Sequence, residues 1–133
     1  MEFVGLLKDH EPGLIKIGQN LSDITDLGKG QITDMEYINS YLQNGTVVIP
    51  FLHSVFDAEG NLIGPLIIYT DGKWIWPSYL SYYLLKGYRS LLSNLFIADM
   101  RIQNYIPPLL EKERLEEVER FYRSTYNPNK KDR

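Results

Sequence analysis

The spacing of hydrophobic and polar positions changes along this chain, and the changes mark its elements. In "TDMEYINSYLQNG", Met35, Ile38, Tyr41 and Leu42 recur at helical spacing, which predicts a helix of about three turns with one apolar face. Thr33 followed by Glu36 reads as a capping box at its start, and Asn44-Gly45 as a left-handed stop. "TVVIPFLHSVF" is β-branched and aromatic, the composition of a strand. "DAEGN" supplies a turn with Gly60 at positive φ, "LIGPLIIYT" returns, and Asp71-Gly72 is a two-residue hairpin signal leading into "KWIW". Three strands joined in this way form an antiparallel meander over residues 46–76.

A type I′ turn at Asp71-Gly72, with positive φ at both residues, sets Tyr69 opposite Trp74 and Ile67 opposite Trp76 on one face. Ile68 and Ile75 share the other. Counting back through Gly60 adds Ile49 and Phe51 to the aromatic face and Leu52 and Leu66 to its reverse. Both faces come out apolar, so the sheet needs cover on both sides: helices, further strands, or a partner chain. Pro65 is unwelcome in a middle strand, so either Gly64-Pro65 is a bulge or the strand begins at Leu66.

Trp76-Pro77-Ser78 ends the last strand and opens a helix, with Ser78 as its cap. Leu80, Tyr83 and Leu84 form an apolar stripe that Gly87 closes, and this helix folds back onto Tyr69, Trp74 and Trp76. Ser93 caps "SNLFIADMRIQNY", whose apolar positions are Leu95, Phe96, Met100 and Ile102. After Pro107-Pro108, "LLEKERLEEVERFYRSTY" is amphipathic, with Leu115, Val118, Phe121 and Tyr122 on one side and Glu116–Arg120 and Glu119–Arg123 as i,i+4 pairs. Residues 126–133 read as a frayed polar tail. At the start, "FVGLL" opens a short helix or strand, "GLIKI" adds a strand after Pro12-Gly13, and "SDITDLGKGQ" is a turn-rich connection. The expected fold is α+β, one domain over residues 1–133: a mostly antiparallel sheet, the meander plus N-terminal strands, packed with three or four helices over residues 77–125 and before the meander.

A length of 133 residues with 44% hydrophobic and 23% charged content is ordinary for one globular domain. A net charge of −3 argues against general nucleic-acid binding. The absence of cysteine removes disulfides, zinc thiolates and thiol catalysis. No stretch reaches the roughly 18 apolar residues of a membrane helix, and no targeting segment is visible, so a cytoplasmic protein is expected. Charge is uneven: no Lys or Arg lies between Lys29 and Lys73, where Asp34, Glu36, Asp57, Glu59 and Asp71 all fall. Residues 73–133 hold eleven of the fourteen basic residues against seven acidic ones. Such an asymmetry suits a solvated surface or an acidic face that meets a basic partner.

The segment 69–88 packs two Trp and five Tyr into twenty positions. Large aromatics of this kind mostly fill cores, so Trp74 and Trp76 are expected inside, in a structural motif with Asp71, Gly72, Pro77, Leu80 and Tyr83. Chemistry-bearing constellations are lacking. The two histidines, His10 and His53, have no metal-ligand spacing. "LGKGQIT" departs from a phosphate loop, and no G-x-S-x-G elbow exists. Asp57 with Glu59 and Asp23 with Asp26 fit turn and capping duties. No cofactor, metal site or catalytic residue is assigned.

The segments "YLQNGTVVIP", "YTDGKWIWPSYLSYYLLKGY" and "LSNLFIADMRIQNYIPP" resemble a group of small uncharacterised bacterial proteins. These share YL-x-x-G-T, T-D-G-x-W-x-W-P-x-x-L-x-Y-Y and a later Phe-bearing helix. The resemblance spans residues 41–108, and the acidic start usual for the later helix is replaced here by Ser93-Asn94. Some such proteins lie beside polymorphic toxins, so the resemblance implies an immunity protein. The expected function is therefore non-enzymatic protein binding, with a basic, neighbouring-gene product as partner and Asp57, Glu59, Asp71, Tyr79 and Tyr82 as contact residues. Dimerisation is left open. The alternatives are a small-ligand or carbohydrate binder using Trp and Tyr faces, and an unrecognised hydrolase.

Overall fold

The computed structural model describes residues 1–11, 18–24 and 33–125. Over these the fold is α+β. A four-stranded sheet has the order β1-β4-β3-β2, with β1 at Glu2–Phe3, β2 at Thr46–Phe56, β3 at Leu62–Thr70 and β4 at Trp74–Pro77. The expected meander β2-β3-β4 is antiparallel. Beside it β1 runs parallel to β4, Glu2 against Trp74 and Phe3 against Ile75, so the sheet is mixed. Four helices cover it: α1 at Met35–Gln43, α2 at Leu80–Leu85, α3 at Asn94–Ile102 and α4 at Lys112–Thr125. "GLIKI", most of the turn-rich connection and the polar tail lie outside the described residues.

The β3–β4 register differs from expectation by two residues: Tyr69 faces Trp76 and Thr70 faces Ile75. The turn is the reason. Asp71 is a flanking residue, its amide donating to the Trp74 carbonyl at 3.3 Å, so the loop is Gly72-Lys73. Gly72 has φ 98°, whereas Asp71 is not among the residues of positive φ. A slip of two leaves every side chain on its predicted face. The β2–β3 pairing departs further. A slip between Val47 and Ile49 sets Ile49 opposite Ile68, moving Ile49 to the reverse face. The pairing is irregular between Pro50 and Ser54, which leaves Phe51 without the predicted place and Leu52 fully exposed. Pro65 is tolerated because β4 ends at Pro77, opposite Ile68. On its β4 side the Pro65 segment faces Ser78, whose hydroxyl donates to the Pro65 carbonyl at 2.8 Å.

Trp74, Trp76, Ile68 and Ile75 are all buried, so both faces of β4 are covered. Beside Tyr69 of β3, which stacks on Trp76 at 6.2 Å, the helix rings against the tryptophans come from α1 and α3, not from α2 as expected. Phe96 lies 5.0 Å from Trp74 and 5.2 Å from Trp76, and Tyr41 lies 6.0 Å from Trp76. The Trp76 indole donates to the Leu42 carbonyl at 2.9 Å. On the reverse face α4 reaches β2, while Phe3, in register with Ile75, stacks on Phe121 at 5.4 Å.

Several end signals act differently from their local reading. Helix α1 is entered through Asp34 at φ 63° with no side-chain cap, so the Thr33–Glu36 box does not form. Gly45 is not a left-handed stop. A Cβ there would lie 2.5 Å from the Trp76 ring, so glycine is needed for close approach. Ser78 does not cap α2; its hydroxyl accepts from the Ile67 amide at 3.0 Å, and Pro77 stays in the strand. Ser93 does cap α3, accepting from the Leu95 amide, and Gly87 takes φ 100° after α2.

Candidate functional site

The β2–β3 turn is built on one carboxylate. Asp57 Oδ1 accepts the amides of Glu59 at 2.9 Å and Asn61 at 2.8 Å, and Oδ2 accepts the Asn61 side-chain amide at 3.2 Å and the Tyr82 hydroxyl at 2.6 Å. Hydrogen bonds to the charged form favour it, so the Tyr82 hydroxyl first, then the Asn61 amide, draw the Asp57 carboxyl down to about 2. Tyr82 belongs to α2, so this bond ties hairpin tip to helix across 25 residues. Its own hydroxyl is pushed up by Asp57, and Lys86 Nζ lies 5.1 Å from its ring centre. Glu59 sits exposed at the tip. Phe56 and Leu62 are cross-strand partners beside it, and both are exposed.

The β3–β4 turn repeats the device in the interior. Asp71 Oδ1 accepts the amides of Lys73 at 3.0 Å and Trp74 at 2.7 Å, and Oδ2 accepts the Tyr41 hydroxyl of α1 at 2.6 Å. Thr70 completes it, donating to the Trp74 carbonyl at 2.7 Å and accepting from the Gly72 amide at 2.9 Å. Burial, then the bond to Asp71, drive the Tyr41 hydroxyl far above its ordinary value, so Tyr41 acts only as a donor.

The predicted contact residues therefore separate. Asp57, Glu59 and Tyr82 gather at one hairpin tip. Asp71 is buried and engaged by three internal donors, and Tyr79 is fully buried, so neither presents a surface to a partner. The structural motif of Asp71, Gly72, Trp74, Trp76, Pro77, Leu80 and Tyr83 is buried throughout.

Sequence reasoning missed Glu11, the buried carboxylate of the N-terminal segment. It accepts the Tyr79 hydroxyl and, at 3.0 Å, the Tyr122 hydroxyl, joining the N-terminus to α2 and α4. Tyr79 in turn accepts from the Leu7 amide at 2.8 Å. His10 lies in this cluster, its Nε2 2.7 Å from the Tyr83 hydroxyl and its ring 4.7 Å from Tyr79. Burial lowers its pKa, with Asp9 pulling the other way, and burial raises the Tyr83 hydroxyl to about 12. The sequence offers no signal for Glu11, because its partners lie 68 and 111 residues away.

A second missed residue is Asp99 of α3, which takes the Trp74 indole N–H at 2.7 Å and pairs with Lys73 at 2.8 Å. The Lys73 bond, then the Trp74 bond, hold its carboxyl below the ordinary value. A cleft of about 130 Å³ lies here among Asp71, Lys73, Trp74 and Asp99, and one of about 150 Å³ lies between Val4–Leu6 and Ser90–Ser93. Both are small for an organic substrate. Among the described residues no group of three or more His, Asp or Glu could hold a metal ion, and no helix is long and apolar enough to cross a membrane. Comparison with protein-family models, with curated proteins and with solved structures returns no match.

Proposed function

We propose that this chain acts by binding another protein, as an immunity-type inhibitor that occludes a toxin in the cytoplasm, and that the β2–β3 hairpin is the surface it offers. One observation supports this best: exposed apolar side chains gather on that hairpin beside its acidic tip. Leu52 stands free where the pairing is irregular, and Phe56 and Leu62 stand side by side next to Asp57 and Glu59. Apolar anchors flanked by charge are the composition of an interface, and acidic groups favour a basic partner. The Asp57–Tyr82 bond and the Asp57-centred turn give the tip a defined shape in the free protein, which reduces the ordering cost of binding. Asp57 itself is committed to main-chain amides, the duty of a turn carboxylate rather than of an acid–base pair. Trp74 and Trp76 are enclosed, so they offer no open face for stacking on a sugar.

The test is co-expression with the product of the adjacent gene. A complex that co-elutes, together with growth rescue, is the expected result. Phe56→Ala with Leu62→Ala should abolish rescue while leaving the thermal transition near wild type. Absence of both complex and rescue in the wild type overturns the immunity reading. A complex indifferent to the double substitution overturns the choice of surface.

A further inference from the structure

The segment Leu7–Glu11 is folded into a turn, the His10 and Glu11 amides both donating to the Leu7 carbonyl at 3.1 and 2.9 Å. Hydrogen bonds hold this turn against the start of α2. The Leu7 amide donates to the Tyr79 hydroxyl at 2.8 Å, that hydroxyl donates to Glu11, and the Tyr83 hydroxyl meets His10 Nε2 at 2.7 Å. Of these groups only the imidazole ordinarily titrates near neutral pH. Tyr83 is 2% exposed, and among the described residues its hydroxyl has no other acceptor. It therefore donates to Nε2, and the neutral ring carries its own proton on Nδ1. A protonated ring bears a hydrogen on both nitrogens. Two donors then meet at 2.7 Å, and the Tyr83 hydroxyl must rotate away, stranding its proton in the interior. A buried donor without an acceptor weakens the contact it belongs to.

We propose that Leu7–Glu11 is a proton-operated clasp, closed on Tyr79 and Tyr83 while His10 is neutral and released when the ring takes up a proton. The groups that face the ring decide the direction. Tyr79, 4.7 Å away, and Tyr83, 5.6 Å away, are uncharged rings. Glu11 is occupied by the Tyr79 and Tyr122 hydroxyls. Lys8 and Asp9 flank the ring on its own turn, and Asp9 favours the charged form, but burial outweighs it and disfavours that form. The open clasp titrates at the ordinary 6.5 and the closed one below it, so protons bind the open form first. Opening is constant above the ordinary value, rises as pH falls through it, and levels off below the closed-form value. Release loosens the joint that Glu11 makes between the N-terminal segment, α2 and α4. None of these bonds involves the β2–β3 hairpin, so the clasp stands or falls independently of the proposed function.

Amide hydrogen exchange on the full chain, corrected for the intrinsic effect of pH, tests this. Between about pH 8 and pH 5, around the ordinary imidazole value, protection of the Leu7 and Glu11 amides should fall. That of Ile97, bonded to Ser93 within α3, should hold. The fall should match the titration of His10 followed by its ring carbon–proton signals, about tenfold for each unit that its midpoint lies below the ordinary value. His10→Gln keeps an acceptor for the Tyr83 hydroxyl but takes up no proton, so Leu7 and Glu11 protection should become flat with pH. A His10 midpoint at or above 6.5 overturns the proposal, as does wild-type protection that does not change with pH. So does a pH dependence that persists in His10→Gln, and a loss shared equally by Ile97 overturns it as general unfolding.

Discussion

Replacing Asp71 by alanine tests whether the interior turn is held by its carboxylate. The substitution removes the acceptor of two main-chain amides, Lys73 at 3.0 Å and Trp74 at 2.7 Å, and of the Tyr41 hydroxyl at 2.6 Å. Hydrogen bonds to a charged group contribute about 1.5–3 kcal/mol each, and a buried donor left without an acceptor costs about 1–3 kcal/mol. Lys73 is exposed, so water replaces that bond at little cost. The Trp74 amide and the Tyr41 hydroxyl are enclosed, and together they set the loss at about 4 kcal/mol. That is a large share of the roughly 5–15 kcal/mol that holds a domain folded. Tyr41→Phe removes only the hydroxyl and leaves both amides satisfied, so its cost should be about 2 kcal/mol. In a double-mutant cycle the two should be coupled by about 1.5–3 kcal/mol, because Asp71→Ala already forfeits the Tyr41 bond. Urea unfolding followed by tryptophan fluorescence reads all four corners, since Trp74 and Trp76 lie beside the turn. A loss below about 1 kcal/mol for Asp71→Ala, or strict additivity, would refute the bracket reasoning.

Gly45→Ala places a methyl 2.5 Å from the Trp76 ring and 3.2 Å from the Thr70 carbonyl, and overpacking of this kind costs about 1–3 kcal/mol; an unchanged urea midpoint would show that the close approach does not require glycine. The Asp57 carboxyl, lowered from the usual 3.8 to about 2, stabilises the fold fully above the unfolded value, and the contribution is lost as pH falls through about 2. Tyr82→Phe deletes the largest cause of that shift. The carboxyl-carbon titration of Asp57 should therefore move up towards 3.8, and an unmoved titration would remove Tyr82 from the tip.

Local pattern carried much of this fold. The periods of α1 and α4, the β-branched runs of β2 and β3 and the glycine of each hairpin are short-range signals, and each element formed near its expected place. The interior position of Trp74 and Trp76 was legible because large aromatics are seldom left outside. What escaped was decided at long range. The two residues of β1 join β4 across some seventy positions of chain, and so short a strand has no period to detect. The bulges of β2 are set by how the edge fits its neighbour, not by composition. At Asp71 the expected type I′ turn gave way because an aspartate side chain can take the amide that a main-chain carbonyl would otherwise take. In α3, Leu95 and Ile102 fit a helical period yet lie outside, because period alone does not separate two apolar faces of one helix.

The tyrosines give the common physical account of what was missed, and they bear on how the proposed binding is best probed. Among the described residues, four carboxylates receive tyrosine hydroxyls from distant elements: Glu11 from Tyr79 and Tyr122, Asp34 from Tyr105, Asp57 from Tyr82 and Asp71 from Tyr41. The phenol ring supplies apolar area to the core while its hydroxyl reaches an acceptor at the margin, so an acidic, tyrosine-rich chain can spend its carboxylates on internal joints. The acids between Lys29 and Lys73 are therefore less available for steering than their number suggests. Asp57 and Asp71 hold turns, so substituting either confounds charge with shape. Glu59 contributes only its main-chain amide to the Asp57 bracket, and its side chain is free to face a partner. Glu59→Lys thus reverses a charge at the tip without dismantling it. If the tip steers a basic protein, this variant should slow association most at low salt and leave the dissociation rate nearly unchanged. A faster dissociation at unaltered on-rate would instead mean that Glu59 is a packed contact, and the steering would have to arise from the whole acidic half.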